Sequence, residues 1–264
     1  IDKHSFRIDS NHLRTTILES EQAKLIRGSF LLAGPLLARR KSIDLPAPGG
    51  DRIGLRPVQT HLEALEKLGA DITFNEYGLY QMRSNGLKGT EIYLDEASVM
   101  ATENAVMAAV TAEGKTSIYN AACEPHVQGL CHFLVILGAS IQGIGSNLLI
   151  IEGVQKLRGG EYTIQSDHTE VGSFIGLAAV TGSELRIKNE GVEYLRMTLL
   201  MFEKLGVNII GLVDNMSFFK GDDGKKYPIF GEGGVKKTAE EFNKEFLGEI
   251  PICLLYTSPS PRDS

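Results

Sequence analysis

The chain has 264 residues, 42% of them hydrophobic and 23% charged, enough to bury a core and to make one or two domains. A formal net charge of −6 and an isoelectric point of about 5.6 exclude a broad basic surface for nucleic acid or anionic lipid, so any anion site is local. No stretch approaches the roughly 20 apolar residues of a membrane-spanning helix.

In chain order, a small-residue helix over 31–39 leads to a strand over 42–45, and a loop from Pro48 to His61 then opens onto a helix over 61–68. A strand pair with a glycine-rich turn follows over 72–82. The same succession returns as a helix over 105–112, a strand over 116–119 and a strand pair over 141–151, then as a helix over 172–180 and a strand over 184–187. Leu68-Gly69-Ala70-Asp71-Ile72, Leu137-Gly138-Ala139-Ser140-Ile141 and Leu205-Gly206-Val207-Asn208-Ile209 are one motif at spacings of 69 and 68 residues. A fixed period marks a repeated structural unit. Each copy ends a helix on a glycine suited to the C-cap and starts a strand after it. The unit reads α-β-α-β-β, with small-residue helices packed inside and half-exposed sheets outside. The third copy breaks off after Ile210, where composition changes; an amphipathic helix is expected over 236–246, with Ala239, Phe242 and Phe246 on one stripe.

The loop Pro48-Gly-Gly-Asp51-Arg52-Ile-Gly-Leu-Arg56-Pro57 sets three glycines, an acid and two arginines at a helix N-terminus, whose unpaired N–H groups favour phosphate or carboxylate. On composition alone a solvated turn is the favoured reading, since Gly/Pro loops are common and charges face water. Cys123, Cys131 and Cys253 form neither a CxxC pair nor an even disulfide framework, and no leader precedes them, which fits a reducing cytoplasm. The six histidines show no HExxH or Cys/His metal spacing, so neither a metal nor a cofactor is expected. The start at Ile1 rather than Met fits a fragment.

Several runs carry a family resemblance: Ala23-Lys24-Leu25-Ile26-Arg27-Gly28-Ser29 with Gly34-Pro35-Leu36-Leu37-Ala38-Arg39, Pro48 to Pro57, Ser98-Val99 with Ala101-Thr102-Glu103-Asn104, Asn120-Ala121-Ala122 with Glu124-Pro125, and Asp167 to Phe174. Over about residues 1–209 the chain resembles an internal piece of the UDP-N-acetylglucosamine 1-carboxyvinyltransferases, of the enolpyruvyl transferase family. The resemblance implies an α/β (α+β) fold of βαβαββ units, helices inside and sheets outside. Residues 1–165 would form part of a first lobe and 166–209 the start of a second. It also implies transfer of the enolpyruvyl group of phosphoenolpyruvate to the 3-hydroxyl of UDP-N-acetylglucosamine, with release of phosphate, in peptidoglycan precursor synthesis in the cytoplasm. No nucleic acid or membrane partner is implied.

Carried over residue by residue, Asp51 stands where most members have a cysteine and some an aspartate, and it would be the proton donor. Arg27 and Arg56 match substrate-binding positions, and their bidentate forks suit carboxylate and phosphate oxygens. Arg56-Pro57-Val58-Gln59-Thr60 and Glu96-Ala97-Ser98-Val99 occupy the sugar-nucleotide segments. Gln59 and Thr60 replace a usual Asp-Leu, and Met100 replaces a usual glycine, which puts nucleotide affinity in question. Ser98 or Thr102 also suits a helix N-cap, a role compatible with ligand contact. A free aspartate titrates near 3.9, so a donor poised at pH 7 needs a rise of about three pH units, costing about 4 kcal/mol. Arg52 and Arg56 oppose that rise until substrate anions neutralise them.

From about 199 to 252 the chain instead resembles the C-terminal part of the P-loop iron–sulfur carrier ATPases, through Asn215-Met216-Ser217 and Ile229 to Gly234. The run Gly231-Glu232-Gly233-Gly234-Val235-Lys236-Lys237-Thr238 has Lys236 where a phosphate loop requires its second glycine. Residues 253–264 look like adapter read-through and read as a disordered tail. An assembly chimera is expected rather than a natural fusion. Lacking the family's N-terminal lysine and second-lobe aspartate and arginine, the chain as written is expected to turn over little substrate.

Overall fold

The computed structural model describes residues 13, 16–18, 21–50, 56–187, 191–207, 211–220, 224–227, 233–241 and 243–252. They belong to two compact units, Ile1–Thr163 and Ile164–Ser264.

The first unit is built from two copies of one motif. After α1 (Glu21–Leu25), a 3-10 helix, Arg27–Leu32, runs into α2 (Ala33–Arg40), β1 (Ser42–Pro46), α3 (Gln59–Lys67), β2 (Ala70–Phe74) and β3 (Leu79–Ser84). The strands pair antiparallel in the order β1-β3-β2, and Ile17 bridges parallel to Asp44 on the far side of β1. The second copy is β4 (Glu91–Tyr93), α4 (Val99–Ala109), β5 (Lys115–Tyr119), α5 (Pro125–Ile136), β6 (Ser140–Gln142) and β7 (Leu148–Glu152). Its order is β4-β5-β7-β6, with β4 parallel to β5 and the rest antiparallel. With Ile17 standing where β4 stands, the two sheets have the same topology, βαβαββ.

The repeated Leu-Gly is the hinge of each copy. Leu68, Leu137 and Leu205 close their helices, and Gly69, Gly138 and Gly206 follow at φ values of 100°, 100° and 76°, where a Cβ is disfavoured. Each glycine N–H returns to the carbonyl three residues back, that of Glu66, Val135 or Glu203, at 2.9 Å.

Alternation in the strands sends Ile43, Leu45, Met82, Ile92, Ile118, Leu149 and Ile151 into one core with Phe30, Leu37, Leu65 and Leu68. The helices lie inside, and α4 is the most enclosed: Ala101, Thr102, Asn104, Ala105, Val106, Ala108 and Ala109 are all buried, against α2, α3 and α5. Small residues permit that closeness. At Gly34 in α2 an added Cβ would meet the Asn104 carbonyl oxygen at 2.4 Å. The helix expected over 105–112 begins earlier, because Ser98 caps it and its oxygen accepts from the Ala101 N–H at 3.4 Å.

The second unit opens with α6 (His168–Thr181), capped by Asp167, whose Oδ1 accepts from the N–H groups of Thr169 and Glu170 at 2.8 and 3.2 Å. These bonds hold the Asp167 carboxyl below its ordinary range. A 3-10 helix, Val192–Leu195, leads into α7 (Arg196–Lys204), and Val171, Leu195 and Leu199 form a small core with Ile175 and Ile187. The strand expected over 184–187 is absent: these residues have no strand pairing, although the alternation of the segment suits a strand. A strand needs a neighbour for its backbone groups, and none of the described strands lies beside this one.

Beyond it come β8 (Gly211–Lys220), β9 (Lys226–Tyr227), α8 (Gly234–Glu241) and β10 (Glu245–Ile252), in sheet order β10-β8-β9. β10 runs parallel to β8 with α8 crossing between them, Val235 and Ala239 buried. The helix expected over 236–246 is therefore shifted and shorter. Asn243, at φ 49°, turns the chain; its N–H bonds to Glu240 and that of Lys244 to Ala239, a Schellman closure that delivers Phe246 to a strand. Phe242 and the tail 253–264 lie outside the described residues.

Candidate active site

One buried asparagine organises the inner end of the first unit. Asn104, on α4 and fully enclosed, accepts the Gly34 N–H on Oδ1 at 2.9 Å, which fixes its amide orientation. Its Nδ2 then donates to the Phe30 carbonyl and to His61 Nδ1, both at 2.9 Å. A single side chain thus ties together the 3-10 helix, α2, α3 and α4. His61 is 2% exposed and meets Phe30 edge-to-face at 5.1 Å. Burial, with Arg27 adding to it, holds its imidazole at a pKa of about 4, so at neutral pH it is uncharged.

Against His61 opens a cavity of about 300 Å³ lined by Arg27, Arg56, Pro57, His61, Glu96, Ser98, Val99 and Met100. Arg27 is braced from the loop, Nη1 donating to the Arg56 carbonyl at 2.8 Å and Nη2 to that of Pro57 at 3.0 Å. Burial and the Arg56 charge pull its proton affinity down, while Glu96 supports it. The Thr60 hydroxyl donates to Glu96 Oε1 at 3.5 Å. Val99 and Met100 belong to the first turn of α4, so the positive end of an 11-residue helix borders the cavity. Two guanidiniums, a helix N-terminus, a carboxylate and a neutral imidazole make a site for an anion that also carries hydrogen-bonding groups.

Of the residues singled out from sequence, Arg27, Arg56, Pro57, Glu96, Ser98 and Val99 line this cavity. Val58 is buried at the start of α3, Thr60 reaches Glu96 from α3, and exposed Gln59 bonds to Glu63 at 2.9 Å; Ala97 is exposed beside the lining residues. Asp51 and Arg52 lie outside the described residues. Arg27 differs from expectation in one respect: two of its donors hold backbone carbonyls, so Arg56 has the less committed fork. Ser98 is the cap, whereas Thr102 is buried, donating to the Ser98 carbonyl at 2.8 Å and accepting the Ala122 N–H at 3.0 Å. His61 and Asn104 carry more than their sequence context suggested. The available signal was a polar residue in a core register, since His61 shares its stripe with Ala64, Leu65 and Leu68.

In the second unit Lys237 pairs with Glu241 one turn on at 4.0 Å, within an α8 that begins at Gly234. Among the described residues no cluster of His, Cys, Asp and Glu is placed to hold a metal, and no helix is long and apolar enough to cross a membrane.

Paired βαβαββ units with helices inside, and an arginine-lined cavity at a helix N-terminus, define a repeat-built α/β fold arranged to receive an anionic ligand. The chain belongs to the enolpyruvyl transferase family, a family of transferases: the family model described as EPSP synthase (3-phosphoshikimate 1-carboxyvinyltransferase) matches residues 2–227. It is 52% identical over 205 residues to a UDP-N-acetylglucosamine 1-carboxyvinyltransferase of Bradyrhizobium diazoefficiens, covering 78% of this chain and 47% of that protein. To the protein of the same name from Bacteroides fragilis it is 44% identical over 245 residues, 91% of this chain and 56% of that one. The chain spans about half the length of the curated relatives it matches. The crystal structure of the enolpyruvyl transferase NikO from Streptomyces tendae shares the fold, with a TM-score of 0.58 at 24% identity over 69% of this chain and 43% of that one. The family match runs past residue 209, where the resemblance was expected to stop, and into the segment likened to the P-loop carriers as far as residue 227.

Proposed function

We propose that this chain carries the first-lobe part of a site that transfers the enolpyruvyl group of phosphoenolpyruvate to the 3-hydroxyl of UDP-N-acetylglucosamine, releasing phosphate. The observation behind the reading is the cavity itself: Arg27, Arg56, Pro57, Glu96, Ser98 and Val99, far apart in sequence and each matched to a substrate position by resemblance, line one space. The names of the relatives supply the sugar nucleotide. In this reading Arg56, with braced Arg27 behind it, takes the anionic oxygens; Ser98 and the first turn of α4 take polar groups of the nucleotide; and Asp51 protonates C3 of the enol. Peptidoglycan precursor synthesis in the cytoplasm is the setting we assign to it, with residues 1–165 in one lobe and 166–209 opening the other.

Isothermal titration of the 264-residue protein with UDP-N-acetylglucosamine tests the reading. Saturable binding, weakened about tenfold or more by Arg56→Ala, is expected, because a charge-assisted pair contributes about 1.5–3 kcal/mol. Absence of binding by the unaltered protein overturns it. In an enzyme carrying this loop, Asp51→Asn should abolish turnover with the fold retained; full activity would remove Asp51 from the role. The expectation of a chimera has its own test, whether one contiguous DNA molecule spans the codons for residues 195–215.

A further inference from the structure

Away from the cavity, the outer face of the β4-β5-β7-β6 sheet carries two tyrosines stacked on each other. We propose that Tyr93 and Tyr119 form an oxidative modification site, joined into a dityrosine cross-link by a one-electron oxidant of the peroxidase class, with Glu91 accepting the proton of Tyr119. The inference is independent of what fills the cavity.

The placement follows from the strand pairing. β4 runs parallel to β5 with Tyr93 opposite Tyr119, and Ile92 and Ile118, one residue back on each strand, are buried in the core. Alternation therefore sends both tyrosines to the outer face together. Because the strands run the same way, the two side chains leave the sheet alike, and their rings stack with centroids 4.5 Å apart and planes 4° from parallel. The Tyr119 hydroxyl donates to Glu91 Oε1 at 3.5 Å. The Glu91 charge first, then desolvation and Tyr93, raises the Tyr119 pKa, so the phenol keeps its proton at neutral pH. Lys115 and Glu152, opposite one another on β5 and β7, are the other charged strand residues on this face. Tyr80 and Tyr162 stack differently, on Phe30 and Phe74 and on Phe133, rings with no phenol to couple.

A neutral phenol gives up an electron more readily when its proton leaves in the same step, and a carboxylate that reaches it directly or through one water is a ready acceptor. Each tyrosine loses one electron to the oxidant and one proton, that of Tyr119 to Glu91 and that of Tyr93 to water. The two phenoxyl radicals then join through ring carbons adjacent to the oxygen-bearing carbons. The hydrogens on the joined carbons move to the oxygens, which restores both phenols; two hydrogen atoms leave in all, and the oxidant gains two electrons. Tyr93 is 65% exposed, which opens the pair to an oxidant in solvent. The new bond ties the three-residue edge strand β4, from which the chain continues to Glu96 and Ser98 at the cavity, to β5, and it encloses α4 in a covalent loop.

The experiment treats the full 264-residue chain with a haem peroxidase and hydrogen peroxide, isolates the monomer, reduces and alkylates its cysteines and digests it with trypsin. Cleavage after Lys88, Lys115 and Lys156 leaves Tyr93 and Tyr119 as the single tyrosines of peptides 89–115 and 116–156, and the first of these has no cysteine. In mass spectrometry these two peptides, joined at their summed mass less two hydrogens, should be the leading dityrosine product. Tyr93→Phe and Tyr119→Phe, which keep two stacked rings, should each abolish it. Glu91→Gln should lower its yield several-fold at neutral pH, with the deficit closing near pH 10, about where phenols ionise unaided. Absence of this linked pair, whatever else is coupled, its survival in either phenylalanine variant, or an equal yield from urea-unfolded protein each overturns the inference. An equal yield from Glu91→Gln at neutral pH overturns the part given to Glu91.

Discussion

α4 and α6 are written in nearly the same alphabet, small and apolar residues with one acid each, yet they live in different surroundings. α4 stands among α2, α3 and α5 with both polar Asn104 and Thr102 sealed inside. α6 buries Val171 against Leu195 and Leu199, while Phe174, Leu177 and Val180 are 43%, 53% and 83% exposed. Composition thus reports that a helix can be enclosed, and neighbours decide whether it is. The practical difference is that an error in α4 leaves a polar group stranded or a backbone displaced, whereas the same error in α6 meets water.

The sharpest way to break the comparison is Asn104→Ala. It strips partners from the Gly34 N–H, the Phe30 carbonyl and His61 at once, and the cost should be about 3–5 kcal/mol in urea unfolding of the first unit. A loss under about 1 kcal/mol would mean that Asn104 is not the organiser described. Next in size is the pH dependence. His61 folds with its pKa lowered from 6.5 to about 4, so its neutral form contributes stability that is present above about 6.5 and lost as pH falls toward 4, up to about 3 kcal/mol. Arg27, Arg56 and Glu96 are the charged side chains that line the cavity with it. His61→Phe should flatten the fall in denaturation midpoint between pH 6.5 and 4; an unchanged slope would assign the loss elsewhere.

A smaller contrast uses glycines. Gly34→Ala drives a Cβ onto the Asn104 backbone oxygen at 2.4 Å and should cost about 1–3 kcal/mol, whereas at Gly176 of α6 the nearest atom is the Phe202 ring at 3.5 Å. There alanine should be neutral or stabilising by up to about 1 kcal/mol through helix propensity, read in thermal melts of both variants. Smallest of all, Leu177→Gln on the exposed face of α6 should fall within about 0.5 kcal/mol of the unaltered protein. A larger loss would show that this face is covered in solution.

Much of this architecture is legible in the amino-acid sequence. The Leu-Gly recurrence locates three helix ends, because a cap needing positive φ leaves a glycine wherever it occurs, and the strand pairs over 72–82 and 141–151 form as their alternation implies. The segment 184–187 misleads because alternation describes one side of a pairing and says nothing of the other. The end of α8 misleads because the asparagine that turns the chain looks ordinary in an amphipathic run. At the site, Arg56 announces itself by its type in a glycine-rich loop, whereas Arg27 and Glu96 stand out only through the family resemblance. His61 and Asn104 do neither, since their importance lies in what they face across 43 residues of chain. The brace on Arg27 is hidden for the same reason: backbone carbonyls leave no mark on the sequence.

That brace has a consequence for ligand capture. A guanidinium on a free stem loses up to about 2 kcal/mol of rotamer entropy when it is immobilised. With Nη1 and Nη2 already held by the carbonyls of residues 56 and 57, Arg27 gives up that freedom as the first unit folds. An arriving anion then meets a cation of settled direction, and association there is limited by encounter rather than by a search among side-chain conformations. Lysine at the same position would keep the charge and lose the rigidity, trading a preset receptor for a mobile one.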